Sequence, residues 1–115
     1  MAISEFEIKR CERELEKFLV KRRPPSHIRN EVDLRYRIED QSITIFEIRP
    51  EWRDPKTSIE IPVAKTTYVK SKKTWKVFWQ RADLKWHNYR PVPIVKSIEE
   101  FLQVIDEDPH HCFFG

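Results

Sequence analysis

Glycine is nearly absent: the single one in 115 residues is Gly115. Loops of the Walker or dinucleotide type cradle phosphates with glycines where backbone amides approach the ligand, so both conventional sites are excluded. Cysteine is scarce as well. Cys11 and Cys112 stand at opposite ends of the chain, in a domain large enough to fold without a staple, and they read as reduced thiols. Long apolar runs are missing too. None approaches the roughly 20 residues that a membrane span requires, so no membrane partner is expected. The start, Met1-Ala2-Ile3-Ser4-Glu5, reaches acid at once and has neither the basic head nor the apolar stretch of a secretory signal. A cytoplasmic location is the expectation.

What is present is charge, and it is unevenly spread. The formal net charge is only +3, yet residues 61–96 carry 9 basic and 1 acidic groups, whereas residues 97–115 carry 0 and 5. Residues 1–30 carry 8 and 5, and residues 31–60 carry 5 and 8. Such asymmetry bears on partners and on docking within the chain, not on fold. A chain of this length supplies one hydrophobic core, and residues 1–115 are expected to form one domain.

The first element is a helix with a marked start. Ser4 and Glu7 make a capping box, and Ile3 with Ile8 can form the hydrophobic staple around it. Ile8, Cys11, Leu15, Phe18 and Leu19 then recur at three- and four-residue spacing, a single apolar stripe. Arg22-Arg23-Pro24-Pro25 ends it. After that the period falls to two. Val32, Leu34, Tyr36 and Ile38 alternate with Asp33, Arg35 and Arg37, and Glu39-Asp40-Gln41 turns into a second strand over 43–49. Residues 50–58 read as an exposed loop. Strands follow over 59–69, then around Trp75, Val77 and Trp79 on one face with Lys76, Phe78 and Gln80 on the other, then over 86–90. Pro91 and Pro93 are expected to close the sheet. A last helix opens on Ser97 and Glu100, carries the stripe Ile98, Phe101, Leu102 and Ile105, and stops at Pro109. Its final turn, Asp106-Glu107-Asp108, sets acids at the negative end of the helix dipole, so a positive group is expected beside it. The expected fold is α+β: an N-terminal helix, about five mostly antiparallel strands and a C-terminal helix, with both helices on one face of the sheet.

Four constellations are candidates for chemistry. Cations and rings interleave across residues 65–90: Lys65, Lys70, Lys72, Lys73, Lys76, Arg81, Lys85 and Arg90, with Tyr68, Trp75, Trp79, Trp86 and Tyr89 among them. Nucleic-acid surfaces combine cations for phosphates with flat rings for unstacked bases, and strands supply both at alternating positions. The plain alternative makes the tryptophans core and the lysines solvated edge residues. Next, Glu31, Asp33 and Glu47 lie near Arg49 on neighbouring strands. A magnesium-dependent nuclease of the restriction-enzyme type holds its metal with a carboxylate and a Glu-x-Lys pair. Here Glu47-Ile48-Arg49 has arginine for lysine, and strands follow where that fold expects a helix, so cross-strand ion pairing is the simpler account. His110-His111-Cys112, with Cys11, His27 and His87 elsewhere, offers zinc-type ligands. Three consecutive residues do not converge easily on one ion, and a polar tail explains them as well. Finally, the closing Phe113-Phe114 requires a docking site, either on the chain's own core or on a partner.

Glu47-Ile48-Arg49-Pro50, then Trp75 and Trp79, then Lys85-Trp86-His87-Asn88-Tyr89, then a short helix and Cys112-Phe113-Phe114-Gly115 together resemble a small bacterial family, the domain of unknown function 3024. The resemblance spans nearly the whole chain and implies a bacterial origin and a single compact domain, with no catalytic or binding residues to carry over. It departs at Asp83-Leu84-Lys85, where the family's turn implies a glycine.

Three functions remain in view. The leading one is a non-enzymatic module that binds nucleic acid or another polyanion through Lys65, Lys70, Lys72, Lys73, Lys76, Arg81 and Lys85. The second is a protein-interaction or self-assembly module, a homo-oligomer in which the acidic last helix of one copy meets the basic sheet of another. The third is the nuclease built around Glu47. No catalytic residue, metal site or cofactor is assigned.

Overall fold

The structure, a computed structural model, describes residues 3–28 and 31–114. Helix α1 spans Glu5–Arg22, and the Ser4 hydroxyl accepts the Glu7 amide N–H at 3.2 Å, as the capping box requires. Ile3, before the cap, is buried, and so are Cys11, Leu15 and Phe18 of the stripe. Arg23 leaves the helix in an extended conformation, its amide closing on the Leu19 carbonyl at 2.7 Å. A single 3₁₀ turn, Ser26–Ile28, leads towards the sheet.

The sheet is antiparallel throughout. Strands β1 (Asp33–Glu39), β2 (Ser42–Pro50), β3 (Ser58–Val69) and β4 (Thr74–Gln80) follow one another as neighbours. Both short strands β5 (Trp86–Asn88) and β6 (Ile94–Val95) pair with the free edge of β4. Helix α2 spans Ile98–Glu107, with the Ser97 hydroxyl accepting the Glu100 amide.

Two expectations for this edge are corrected. The fifth strand is shorter than 86–90, and the prolines do not close the sheet. Pro93 has no N–H to offer, but its carbonyl accepts the Val77 amide at 2.9 Å, which lets Ile94 and Val95 pair with Lys76 and Trp75 beyond it. Residues 89–93 therefore bow out between two paired segments, while the Tyr89 amide still reaches the Val77 carbonyl.

Register assigns the faces. Tyr36 stands opposite Ile45, Ile43 opposite Thr66, Thr66 opposite Val77, and Trp75 opposite both Tyr68 and Val95. These residues, with the stripes of α1 and α2, make one hydrophobic cluster, so both helices cover the same face. Trp75 is 1% exposed at its centre. A bulge in β3 lets Val63 enter this core without displacing Ala64. The other face carries Arg35, Arg37, Lys65, Lys76, Phe78 and Trp86 by the same alternation. Phe46 is buried there, outside the main cluster, beneath the Arg37 guanidinium at 4.7 Å.

Asp33 is a further correction, since alternation places it among solvated residues. It is buried because Arg23, just beyond α1, grips both carboxylate oxygens at 2.6 and 2.8 Å, and the Leu34 amide donates to one of them. That pairing holds the carboxyl at about 2, well below its ordinary value.

Candidate nucleic-acid interface and adjoining cleft

The seven cations singled out from the sequence fall into three groups along the β3–β4 pair. Lys70, Lys72 and Lys73 occupy the turn joining the strands, where Lys73 takes a left-handed conformation (φ 51°). Lys65 and Lys76 stand in mid-sheet on the face that no helix covers. Arg81 and Lys85 flank the turn after β4, so the strand itself, about 20 Å long at ~3.3 Å per residue, separates the end groups. They make a track, not a cluster. Rings lie along it: the Lys65 ammonium sits 5.9 Å from the Phe78 ring and 5.8 Å from that of Trp86. Among the described residues no carboxylate forms an ion pair with Lys65, Lys72, Lys73, Lys76, Arg81 or Lys85.

The acids that could have neutralised this track are engaged elsewhere. Asp106 pairs with Lys21 at 2.9 Å and with Arg22 at 2.9 Å, which meets the expectation of a positive group beside the last turn of α2. Arg22 also donates to the Asp106 carbonyl at 2.9 Å. Glu107 accepts from Gln103. Asp108 takes the left-handed cap position (φ 38°), and its carboxylate accepts the amides of Cys112 at 2.8 Å, Phe113 at 3.1 Å and Phe114 at 2.8 Å.

Those three bonds fold the tail back onto the chain's own core. Phe113 is buried against Tyr89, ring centroids 4.8 Å apart, and Phe114 packs edge-on to Phe18 with the Arg22 guanidinium 4.0 Å above its ring. Gly115 lies outside the described residues.

Docking of the tail closes a cleft of about 470 Å³ at the β5 end of the sheet. The end of β4 supplies Trp79 and Arg81, β5 supplies His87 and Asn88, the bowed segment adds Tyr89 and Arg90, and the tail adds His110 and Cys112. Residues remote in sequence thus meet here, and local pattern alone does not bring them together. His87 is held by Asp83 at 2.8 Å, across a turn in which the Asp83 carboxylate also caps the Lys85 amide at 2.9 Å. Leu84 occupies the left-handed region in that turn (φ 63°), the place where the family resemblance implies glycine. Burial, and then the Asp108 carboxylate, push the Cys112 thiol up, so it is held as a neutral thiol and not as a nucleophilic thiolate. Burial pushes Cys11 up to about 12.

The remaining sequence candidates stay apart. Asp33 is committed to Arg23, and Glu47 has Arg49 at 3.3 Å. Among the described residues, no three His, Cys, Asp or Glu side chains gather to hold a metal ion. The groove between α1 and α2 is lined by charges that are already paired, Lys21 with Asp106 and Lys17 with Glu14. No helix among the described residues is long and apolar enough to cross a membrane.

The family model for Domain of unknown function (DUF3024) matches residues 3–115. The chain belongs to that family. Neither the curated proteins nor the solved structures yield a match. The motifs that carry the family resemblance are distributed unequally here: Trp79, His87, Asn88, Tyr89 and Cys112 line the cleft, whereas Trp75 is core and Glu47 lies at the far end of β2.

Proposed function

We propose that this chain is a non-enzymatic binding module of the cytoplasm whose ligand is a polyanion, single-stranded nucleic acid being the chemistry that uses both its cations and its rings. The observation that carries this reading is the pairing pattern: Asp106 and Asp108 are engaged by α1 and by the tail, and among the described residues no carboxylate forms an ion pair with Lys65, Lys72, Lys73, Lys76, Arg81 or Lys85. Unpaired lysines on a helix-free sheet face, beside Phe78 and Trp86, suit a strand laid along the sheet with phosphates on the cations and bases against the rings. The same pattern argues against assembly through the acidic end of α2, since its principal carboxylate already has two partners within one copy.

The test is a titration of single-stranded RNA, single-stranded DNA and duplex at several salt concentrations. If Lys72 and Lys73 contact phosphates, Lys72→Glu with Lys73→Glu weakens single-strand binding about tenfold or more and flattens the log-log salt dependence by about 1.4, at ~0.7 per lost contact. No binding to any of the three near physiological salt, or a double variant that binds as the native chain does, would end the proposal.

A further inference from the structure

We infer that the cleft between β5 and the C-terminal tail is a binding site for a phosphate monoester, presented on a nucleotide. Arg81 and Arg90 contribute permanent cations from two different segments, and among the described residues neither has an ion-pair partner. His110 and His87, whose Nε2 is held by Asp83 at 2.8 Å behind it, add ring nitrogens, and among the described residues no carboxylate lines the cleft itself. A guanidinium pairs with phosphate through two parallel hydrogen bonds, and a dianion shared between two of them suits this charge better than a carboxylate does.

Size and rings extend the inference beyond bare phosphate. At about 470 Å³ the cleft falls within the ~300–1,000 Å³ typical of small-molecule sites, more room than an inorganic anion fills. The Trp79 ring forms part of the wall, with the Arg81 guanidinium 5.7 Å from its centroid, and a base can stack there while its phosphate meets the arginines. Tyr89 also lines the cleft, 1% exposed with its ring packed on Phe113, and its hydroxyl is buried.

Asn88 and Arg90 also border a shallower depression with Lys76 and Ile94, so the cleft opens onto the basic sheet face. The phosphate can therefore belong to a free nucleotide or to the end of a strand lying on the sheet. Arg81 belongs to both sites, but Lys72 and Lys73 do not line the cleft and Arg90 is not one of the seven track cations, so Lys72→Glu with Lys73→Glu reports on the sheet face alone and Arg90→Gln on the cleft alone.

Calorimetric titration of the full chain with adenosine 5′-monophosphate, adenosine and inorganic phosphate tests it, together with one oligonucleotide carrying either a 5′-phosphate or a 5′-hydroxyl. The nucleotide is expected to bind at least tenfold more tightly than adenosine, or the 5′-phosphorylated strand at least tenfold more tightly than its hydroxyl form. The first result identifies a free nucleotide and the second a strand end. Arg81→Gln and Arg90→Gln, both at exposed positions, should each reduce that phosphate-dependent gain tenfold with an unchanged melting temperature. A gain below threefold in both comparisons, or a gain that survives both substitutions, overturns the site.

Discussion

Asp108 joins the last helix to the tail, and its removal has a magnitude that the structure bounds. Its carboxylate accepts three backbone amides, from Cys112, Phe113 and Phe114. At about 1.5–3 kcal/mol for each bond to a charged acceptor, simple addition would give an excessive figure. The bound comes from what else can happen: once the tail lifts away, its amides are satisfied by water, and the loss cannot exceed the docking energy of the tail. That energy consists chiefly of burying the Phe113 ring, worth about 2–3 kcal/mol, with a smaller share from Phe114 over Phe18. Asp108→Ala should therefore cost about 3 kcal/mol in urea denaturation, and Phe113→Ala about as much. The double variant should cost little more than either one, because both report the same detachment. Asp108→Asn tolerates the left-handed conformation and keeps one acceptor, and should fall between native and Asp108→Ala. Additive losses in the double variant, or a loss under about 1 kcal/mol in Asp108→Ala, would refute the account.

Two further outcomes follow from local geometry. Asp33 sits at about 2 in the folded chain, held down first by its hydrogen bonds from Arg23, against an ordinary value near 3.8. A lowered carboxyl stabilises the fold above its unfolded value, so about 2 kcal/mol should disappear as pH falls from about 4 to about 2. Asp33→Asn should remove that acid-sensitive component of the urea midpoint, and a pH profile identical to that of the native chain would contradict it. Leu84 is 77% exposed in a left-handed turn that a side chain disfavours by about 1–2 kcal/mol, so Leu84→Gly should raise stability by up to about 1 kcal/mol after the entropy of the unfolded chain is counted. A lower melting temperature for that variant would show that the turn is not strained.

The helices could be read from the chain because their signals are local: Ser4 and Ser97 cap as expected, and the stripes from Cys11 to Phe18 and from Ile98 to Ile105 are buried. Alternation also identified the core face of β4, with Trp75 and Val77 inside. What local pattern missed depends on partners distant in sequence. Strand β6 exists because a proline carbonyl, not its nitrogen, continues the ladder. Asp33 is buried because Arg23 lies across from it. The cleft was the least accessible feature, since His110 and Cys112 join Trp79, Arg81 and His87 only through the Asp108 bonds and the seating of Phe113 on Tyr89. The histidines and the terminal phenylalanines were visible as separate oddities, and a single fold-back explains both.

Charge summed over sequence segments suggests that the acidic last segment should seek the basic stretch of residues 61–96, and the helices explain why it does not. Arg10 pairs with Glu99 near the start of α2, and Lys21 and Arg22 pair with Asp106 near its end, so the two helices run in the same direction. Two negative helix ends are thereby brought together, an arrangement that the dipoles oppose. Cations at that junction relieve both ends at once, and Arg22 does so directly, donating to the Asp106 carboxylate and to its main-chain carbonyl. Arg23, one residue on, takes Asp33 in the same way. The basic residues closing α1 are thus consumed by the fold, whereas among the described residues Lys65, Lys72, Lys73 and Lys76 of the β3–β4 track form no ion pair with a carboxylate. A charge reversal at Arg22 should accordingly lower the urea midpoint, and one at Lys72 should leave it unchanged, although the two residues count alike in the net charge.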